Sequence, residues 1–315
     1  MNGERMTTDN YTDLYYASQL SLGLSNDETS EPYETKTLTA QTYAIDPVLD
    51  YGLIPLEHLT IGYMIYTDFV FRGHASLAQL NHVFQTLKAA NIDEFILDLR
   101  YNQGGYIFAV KQLCSLLAPE EVVENEELLI HKRWNKAYQE RYANDPDRLE
   151  EHFDNTVPLD SRLNLKRLWV ITSHVTASAS EMLISALSPY MKVNVVGDLT
   201  MGQNMGGIIY TPNDKDLQNW NIMLISTEYS NSREESVKGG IPPMFPILEQ
   251  FHHQHQLGDQ EEPLLAATLQ LITQDTIATP VMNRRSSRSL DTDAPRRIIP
   301  EFVQAKSRLL LGIEN

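Results

Sequence analysis

Apolar residues along the central part of this chain follow two periods in turn. Thr60 to Phe69 alternates as a strand does, and Ser76 to Ala90 places Leu77, Leu80, Val83, Phe84 and Leu87 at helical spacing. An apolar run from Glu94 to Arg100 predicts the next strand, the glycines Gly104 and Gly105 a turn, and residues from about Ile107 to Leu117 a helix. Leu128 to Trp134 and Arg167 to Thr172 are again strand-like. Small residues from Thr176 to Ser180 then open an amphipathic helix from Glu181 to about Tyr190. Gly207 to Tyr210 and Ile222 to Tyr229 predict two further strands, and Glu262 to Thr273 a helix whose Leu264, Leu265, Leu269 and Ile272 close the core. Strand followed by helix, repeated, predicts the α/β class. It is a sheet layered with helices, in which the turns at strand C-terminal ends are placed for chemistry.

Composition narrows the class without naming a function. The 315 residues are 42% hydrophobic and 21% charged, enough for one large core and a smaller domain. A net charge of −17 argues against nucleic acid and against anionic membrane surfaces as partners. The single cysteine, Cys114, sits in the apolar run AVKQLCSLLAP and reads as a core residue; no intrachain disulfide is possible. No stretch reaches the ~18 apolar residues of a membrane span, and no signal peptide follows Met1, which taken literally is a cytoplasmic pattern. His252, His253 and His255 lack metal-ligand spacing, so no metal is expected, and nothing in the sequence asks for a cofactor. Lys136 to Phe153 is charged and aromatic; it suits a solvated excursion, with a lid bearing Tyr138, Tyr142 and Phe153 as the other reading. Residues from Asp275 onward carry a net charge of +2 against −19 for the rest, a contrast that predicts a mobile tail held loosely on the surface, with occupation of the cleft as a pseudo-substrate the other reading.

Candidate chemistry concentrates between Ile171 and Gly207. Here a strand enters a run of small residues at a helix N-terminus, where a serine hydroxyl meets unpaired backbone N–H groups and the positive end of the helix dipole. Ser178 and Ser180 also suit a helix cap and close packing. The LDLRYNQGG turn upstream supplies the second element, because paired glycines free backbone N–H groups to face a cleft. Together, LDLRYNQGG and the segment Ser178-Ala179-Ser180-Glu181 resemble the tail-specific, or C-terminal processing, serine peptidases, over almost the whole of residues 2 to 272.

That resemblance implies a ClpP/crotonase-like catalytic core at 47–274, preceded by a partial PDZ-like segment at 1–46 and followed by the basic tail at 275–315. It implies Ser178 as nucleophile, the N–H groups of Gly105 and Ala179 as oxyanion hole, and Gly104, Thr200 and Gly202 as substrate contacts. The family's lysine base stands 25 residues after the serine, and that position is Gln203 here. A glutamine amide accepts no proton near neutral pH. His174, four residues before Ser178, is the substitute base the sequence offers. The slot of a glutamine that orients the lysine holds Gly207, and Met244 stands where an aspartate is common. The resemblance also implies a polypeptide substrate and a periplasmic or cell-envelope location. Two functions follow: a serine endopeptidase acting on unfolded or tail-exposed polypeptides, or a pseudo-peptidase that holds peptides without cutting them. Hydrolysis of an ester or thioester is a weaker third.

Overall fold

The computed structural model describes residues 2–4, 7, 9–10, 13–14, 16–25, 31–41, 46–70, 74–213, 220–250 and 255–275. His252, His253 and the basic tail beyond Asp275 lie outside the described residues. The chain divides into two units, one holding the residues up to Asp46 and the other beginning at Pro47. In the first, β1 (Gln19–Leu24) pairs antiparallel with β2 (Glu34–Thr39), in register from Gln19↔Thr39 to Leu24↔Glu34. This hairpin occupies the segment expected to be PDZ-like.

The second unit is α/β. Its six-stranded sheet comprises β3 (Val48–Pro55), β4 (Thr60–Tyr66), β5 (Glu94–Asp98), β8 (Arg167–Thr172), β9 (Lys192–Gly197) and β12 (Phe245–Pro246), in the order β12-β9-β8-β5-β4-β3. Neighbours from β4 to β12 run parallel, and β3 closes one edge antiparallel. The inner strands β4, β5 and β8 are buried on both faces, whereas β3 at the edge is largely exposed. Successive residues alternate between two cores. Met64, Leu97 and Val170 face one that includes Phe84 and Leu113, whereas Ile65, Ile96 and Ile171 face another closed by Leu265 and Ile272. Each fully buried aliphatic or aromatic side chain of this kind contributes about 1.5–3 kcal/mol.

A second, antiparallel sheet of four strands has the order β10-β11-β6-β7, from β6 (Leu128–Trp134), β7 (Glu150–His152), β10 (Met205–Tyr210) and β11 (Ile222–Asn231). Between β6 and β7 the charged excursion forms two short helices, Lys136–Arg141 and Pro146–Leu149. Tyr138 and Tyr142 stack at 5.6 Å beside Trp134. Phe153 is no lid residue. It is buried in the core and meets Tyr190 edge-on at 5.4 Å.

The helix expected from Glu181 to Tyr190 runs instead from Ala179 to Leu187. Pro189 has no N–H to extend the ladder, and the Ser185 carbonyl that it would have served accepts the Asn231 side-chain amide at 3.1 Å. Because β5 and β8 are adjacent and parallel, the turns leaving their C-terminal ends meet at one edge of the sheet. The candidate chemistry lies there.

Candidate active site

Ser178 caps the Ala179–Leu187 helix with φ 54° and ψ −115°. A non-glycine residue at positive φ costs roughly 1–3 kcal/mol and persists only where its surroundings hold it. Here the hold comes from the LDLRYNQGG turn. Asn102, fully buried, accepts the Ala177 N–H (3.2 Å) and the Ser180 hydroxyl (3.0 Å) on its backbone carbonyl. Its side chain accepts the Gly104 N–H at 2.9 Å and donates to the Tyr66 carbonyl at 2.8 Å. One asparagine thus ties both glycine turn and serine turn to β4.

Gly104 must be glycine. Its φ is 103°, and a Cβ there would lie 2.7 Å from the Ser178 Cβ and 2.8 Å from the Ala179 nitrogen. Gly105 is equally confined, since a Cβ would sit 2.4 Å from the Phe69 carbonyl oxygen. Phe69 engages both neighbours of the Gly105 amide, its N–H donating to Gly104 and its carbonyl accepting from Tyr106. The Gly105 and Ala179 N–H groups themselves have no acceptor among the described residues. Both are therefore free donors, on the two turns that meet where Gly104 packs on Ser178.

Glu181 organises the other side. It is fully buried, and its carboxylate accepts four hydrogen bonds: Ser178 N–H at 2.9 Å, Gln203 N–H at 2.8 Å, Gly202 N–H at 2.6 Å and the Thr200 hydroxyl. Thr200, Gly202 and Gln203 are thereby clamped to the helix that carries Ser178. Gly202, at φ 85°, packs on Gly239 and Gly240, where a Cβ would meet the Gly240 nitrogen at 2.5 Å. In the sequence Glu181 stands out only as the last residue of the Ser178-Ala179-Ser180-Glu181 segment. The signal for its larger role was the serine-to-glutamate spacing of three, which forms a capping box. Glu181→Gln turns one acceptor into a donor facing donors. A loss of about 2–3 kcal/mol is expected, read from the urea midpoint at unchanged m.

Ser178 and Gln203 line one narrow pocket with Ile130, Met182, Ala186 and Tyr229. No hydrogen bond joins Ser178 to the Gln203 side chain among the described residues. Burial pushes the Tyr229 phenol up, so it stays protonated and serves as no base. Glu235, also in the lining, is engaged by the Asn231 amide at 2.8 Å. His174 is exposed and is not among the pocket's lining residues. The residues brought together are a serine at positive φ, the free N–H groups of Gly105 and Ala179, and Gln203.

Elsewhere, His255, Asp259 and Glu261 bring their ligand atoms together at the surface, with His255 Nδ1 and Asp259 Oδ2 3.0 Å apart. A surface hydrogen bond between His255 and Asp259 explains that arrangement. Cys114 is buried, its thiol pushed up by desolvation, as the apolar run predicts.

The family model described as "Peptidase family S41" matches residues 60–246. A carboxyl-terminal-processing protease of Synechocystis sp. is 25% identical over 188 residues, which are 60% of this chain and 38% of that protein. The chain thus spans less than half the length of this relative. A solved structure from Bacteroides fragilis, classed with the S41 proteases, superposes with a TM-score of 0.74 at 25% identity, over 88% of this chain and 72% of that one.

Proposed function

Because the chain belongs to peptidase family S41, we propose that it is a serine endopeptidase acting on unfolded or C-terminal-tail-exposed polypeptides through an acyl-enzyme at Ser178. One observation carries this reading: a serine held at positive φ against Gly104, on two turns whose Gly105 and Ala179 N–H groups have no acceptor among the described residues. Attack of the Ser178 oxygen on a peptide carbonyl places negative charge on the carbonyl oxygen, which in this reading those two donors stabilise. Collapse breaks the C–N bond and the amine leaves with the proton that the Ser178 hydroxyl gave up; water then hydrolyses the ester, returning a proton to Ser178 and releasing the new carboxyl terminus. Thr200, Gly202 and Gly104 shape the substrate's seat. By the same resemblance, residues 1–46 are assigned as a PDZ-like segment, 47–274 as the catalytic domain, and the periplasm or cell envelope as the place of action.

Gln203 favours a second reading, a pseudo-peptidase that binds peptide without cutting it. An amide keeps a donor at that position and removes the base, and loss of a general base costs about 10²- to 10⁴-fold in rate. An unfolded fluorescent protein substrate separates the two. Slow cleavage by the parent, lost in Ser178→Ala, supports the enzyme. Peptide binding retained equally by parent and Ser178→Ala, with no cleavage and no labelling of Ser178 by a fluorophosphonate, supports the binder.

A further inference from the structure

Beyond the pocket, β10 and β11 continue as a two-stranded ribbon, because β6 joins β11 only between Thr227 and Asn231. One face of that ribbon prolongs the wall of the pocket. Tyr229 and Asn231 line the pocket with Ser178, as does Ile130, which pairs with Asn231. Alternate residues and cross-strand partners share a face, so Thr227, Trp134 and Gly206 belong to the same side. Tyr229 lies over Gly206 there, since a Cβ on Gly206 would fall 2.2 Å from the Tyr229 hydroxyl oxygen. At the next step Gly207 pairs with Ile225, which leaves Ser226 over as a bulge in β11. The bulge shifts β11 by one place. Alternation along the regular strand β10 then puts Ile208 and Tyr210, with their partners Leu224 and Ile222, on the pocket face, and turns Met223 and Ile225 away from it.

Burial on this face ends where β6 ends. Thr227 is buried, whereas Leu224 is 49% and Ile222 58% exposed. Aromatic rings stand beside them: Tyr138 of the Lys136–Arg141 helix meets the Tyr210 hydroxyl and packs at 5.8 Å on Trp134 and 5.6 Å on Tyr142. At the rise of a strand, the path from Tyr229 to Ile222 is about 20 Å long. It is also free of charge. In a chain of net charge −17, residues 199–213 and 217–227 contain no charged side chain.

Resting on the reading of Ser178 as a site that takes polypeptide, we propose that this face of the ribbon is a substrate track. Its occupant is an extended, apolar, uncharged segment of the polypeptide, about six residues from the bond held at Ser178. Two observations select that occupant. The face is continuous with the pocket, so a chain seated at Ser178 is led directly onto it. Its aliphatic and aromatic side chains suit the apolar residues that an unfolded polypeptide leaves bare, and they reject charged stretches, because burying an unpaired charge is costly. Binding energy gained this far from the reacting bond favours long unfolded chains over short peptides.

Fluorescence anisotropy on Ser178→Ala tests this without any cleavage. One probe is an uncharged peptide of about 12 residues, long enough to span pocket and track, rich in leucine and alanine and bearing an uncharged fluorophore. The other has serine and glutamine in place of the apolar residues. The apolar peptide should bind more tightly, and Ile222→Glu with Leu224→Glu should weaken it by about 10- to 100-fold. Met223→Glu with Ile225→Glu adds the same charge to the same strand on the opposite face and should leave binding unchanged; circular dichroism checks that both variants fold. Equal loss in the two variants, no loss in either, or no preference for the apolar peptide overturns the proposal. So does another occupant. A parent dimer in sedimentation velocity that Ile222→Glu with Leu224→Glu dissociates would assign the face to a second copy, and flotation with neutral phosphatidylcholine vesicles, lost in that variant, would assign it to lipid. Fluorophosphonate labelling of Ser178 in the parent is read separately. Its failure counts against the acyl-enzyme and leaves the track standing where the apolar peptide binds.

Discussion

Gln203→Lys is expected to raise the rate of polypeptide cleavage by about 10²- to 10⁴-fold over the parent. The backbone around residue 203 is already held against the helix that carries Ser178. Glu181 fixes the backbone of residue 203 through the Gln203 N–H at 2.8 Å and that of the nucleophile through the Ser178 N–H at 2.9 Å. Both side chains line one pocket, so a lysine at 203 would approach Ser178 from a held backbone and need only lose its proton. Residue 203 is exposed in the free chain, which leaves a lysine there largely solvated until substrate covers it. The activity gained should therefore climb with pH as the ammonium deprotonates, a limb the parent lacks. Initial rates from pH 6 to 10, with Ser178→Ala combined with Gln203→Lys as the blank, check both points. No gain at any pH would show that the base position is elsewhere or that the cleft does not bind substrate productively.

The parts of this site that a sequence exposes are those with a local pattern. The Arg167–Thr172 strand and the Ile107–Leu117 helix coincide with their expected bounds because an apolar run and a helical period are each contained within one element. Gly104 and Gly105 were legible as a turn, and their necessity became visible only when the chain brought Ser178 and Phe69 against them. The contribution of Asn102 was not legible at all. Its hydrogen bonds reach Tyr66, Ala177 and Ser180, which are distant in sequence and meet only because β5 lies between β4 and β8. Phe153 was misread for the same reason. An aromatic residue at the end of a charged stretch looks exposed until β7 pairs with β6 and carries it into the core. Composition likewise could not separate a hydrophobic strand that is covered from one that is bare. Ile222 to Ile225 and Ile61 to Ile65 read alike as strands, and only the ending of β6 at Trp134 leaves the first exposed.

Arg100→Met is expected to destabilise the fold by about 3–5 kcal/mol, lowering the midpoint of thermal unfolding by roughly 10 °C, because it strands buried carboxylates. Arg100 is 1% exposed and holds three acidic residues. Its Nε donates to Asp98 at 3.0 and 3.1 Å, its Nη1 to Glu249 (3.2 Å) and Glu262 (3.0 Å), and its Nη2 to Glu262 at 2.9 Å. Burial opposes the arginine's charge, but Asp98 and Glu262 outweigh it and keep the guanidinium ionised. Burial also pushes Glu262 up, and the Arg100 hydrogen bonds and charge, with the Leu265 and Leu264 N–H groups, pull it below the usual carboxylate range. A carboxyl depressed in the folded state adds stability above its unfolded pKa of about 4.3 and loses it as pH falls through the folded value. The parent should therefore lose stability on acidification below about pH 4.3. Without the cation the sign reverses: desolvation alone then acts on the buried Glu262, which gains a proton more readily than in the unfolded chain, and Arg100→Met should become more stable as pH falls from 7 toward 5. Thermal unfolding of both proteins across pH 4 to 8 measures this. If Arg100→Met is too unstable to purify, adding Asp98→Asn and Glu262→Gln removes the stranded charges and should restore folding with little pH dependence from this cluster. Parallel stability curves for parent and Arg100→Met would mean the charge network contributes nothing specific. The outcome also bears on the site, since the Arg100 carbonyl accepts the Ser173 hydroxyl at the start of the turn that leads to Ser178.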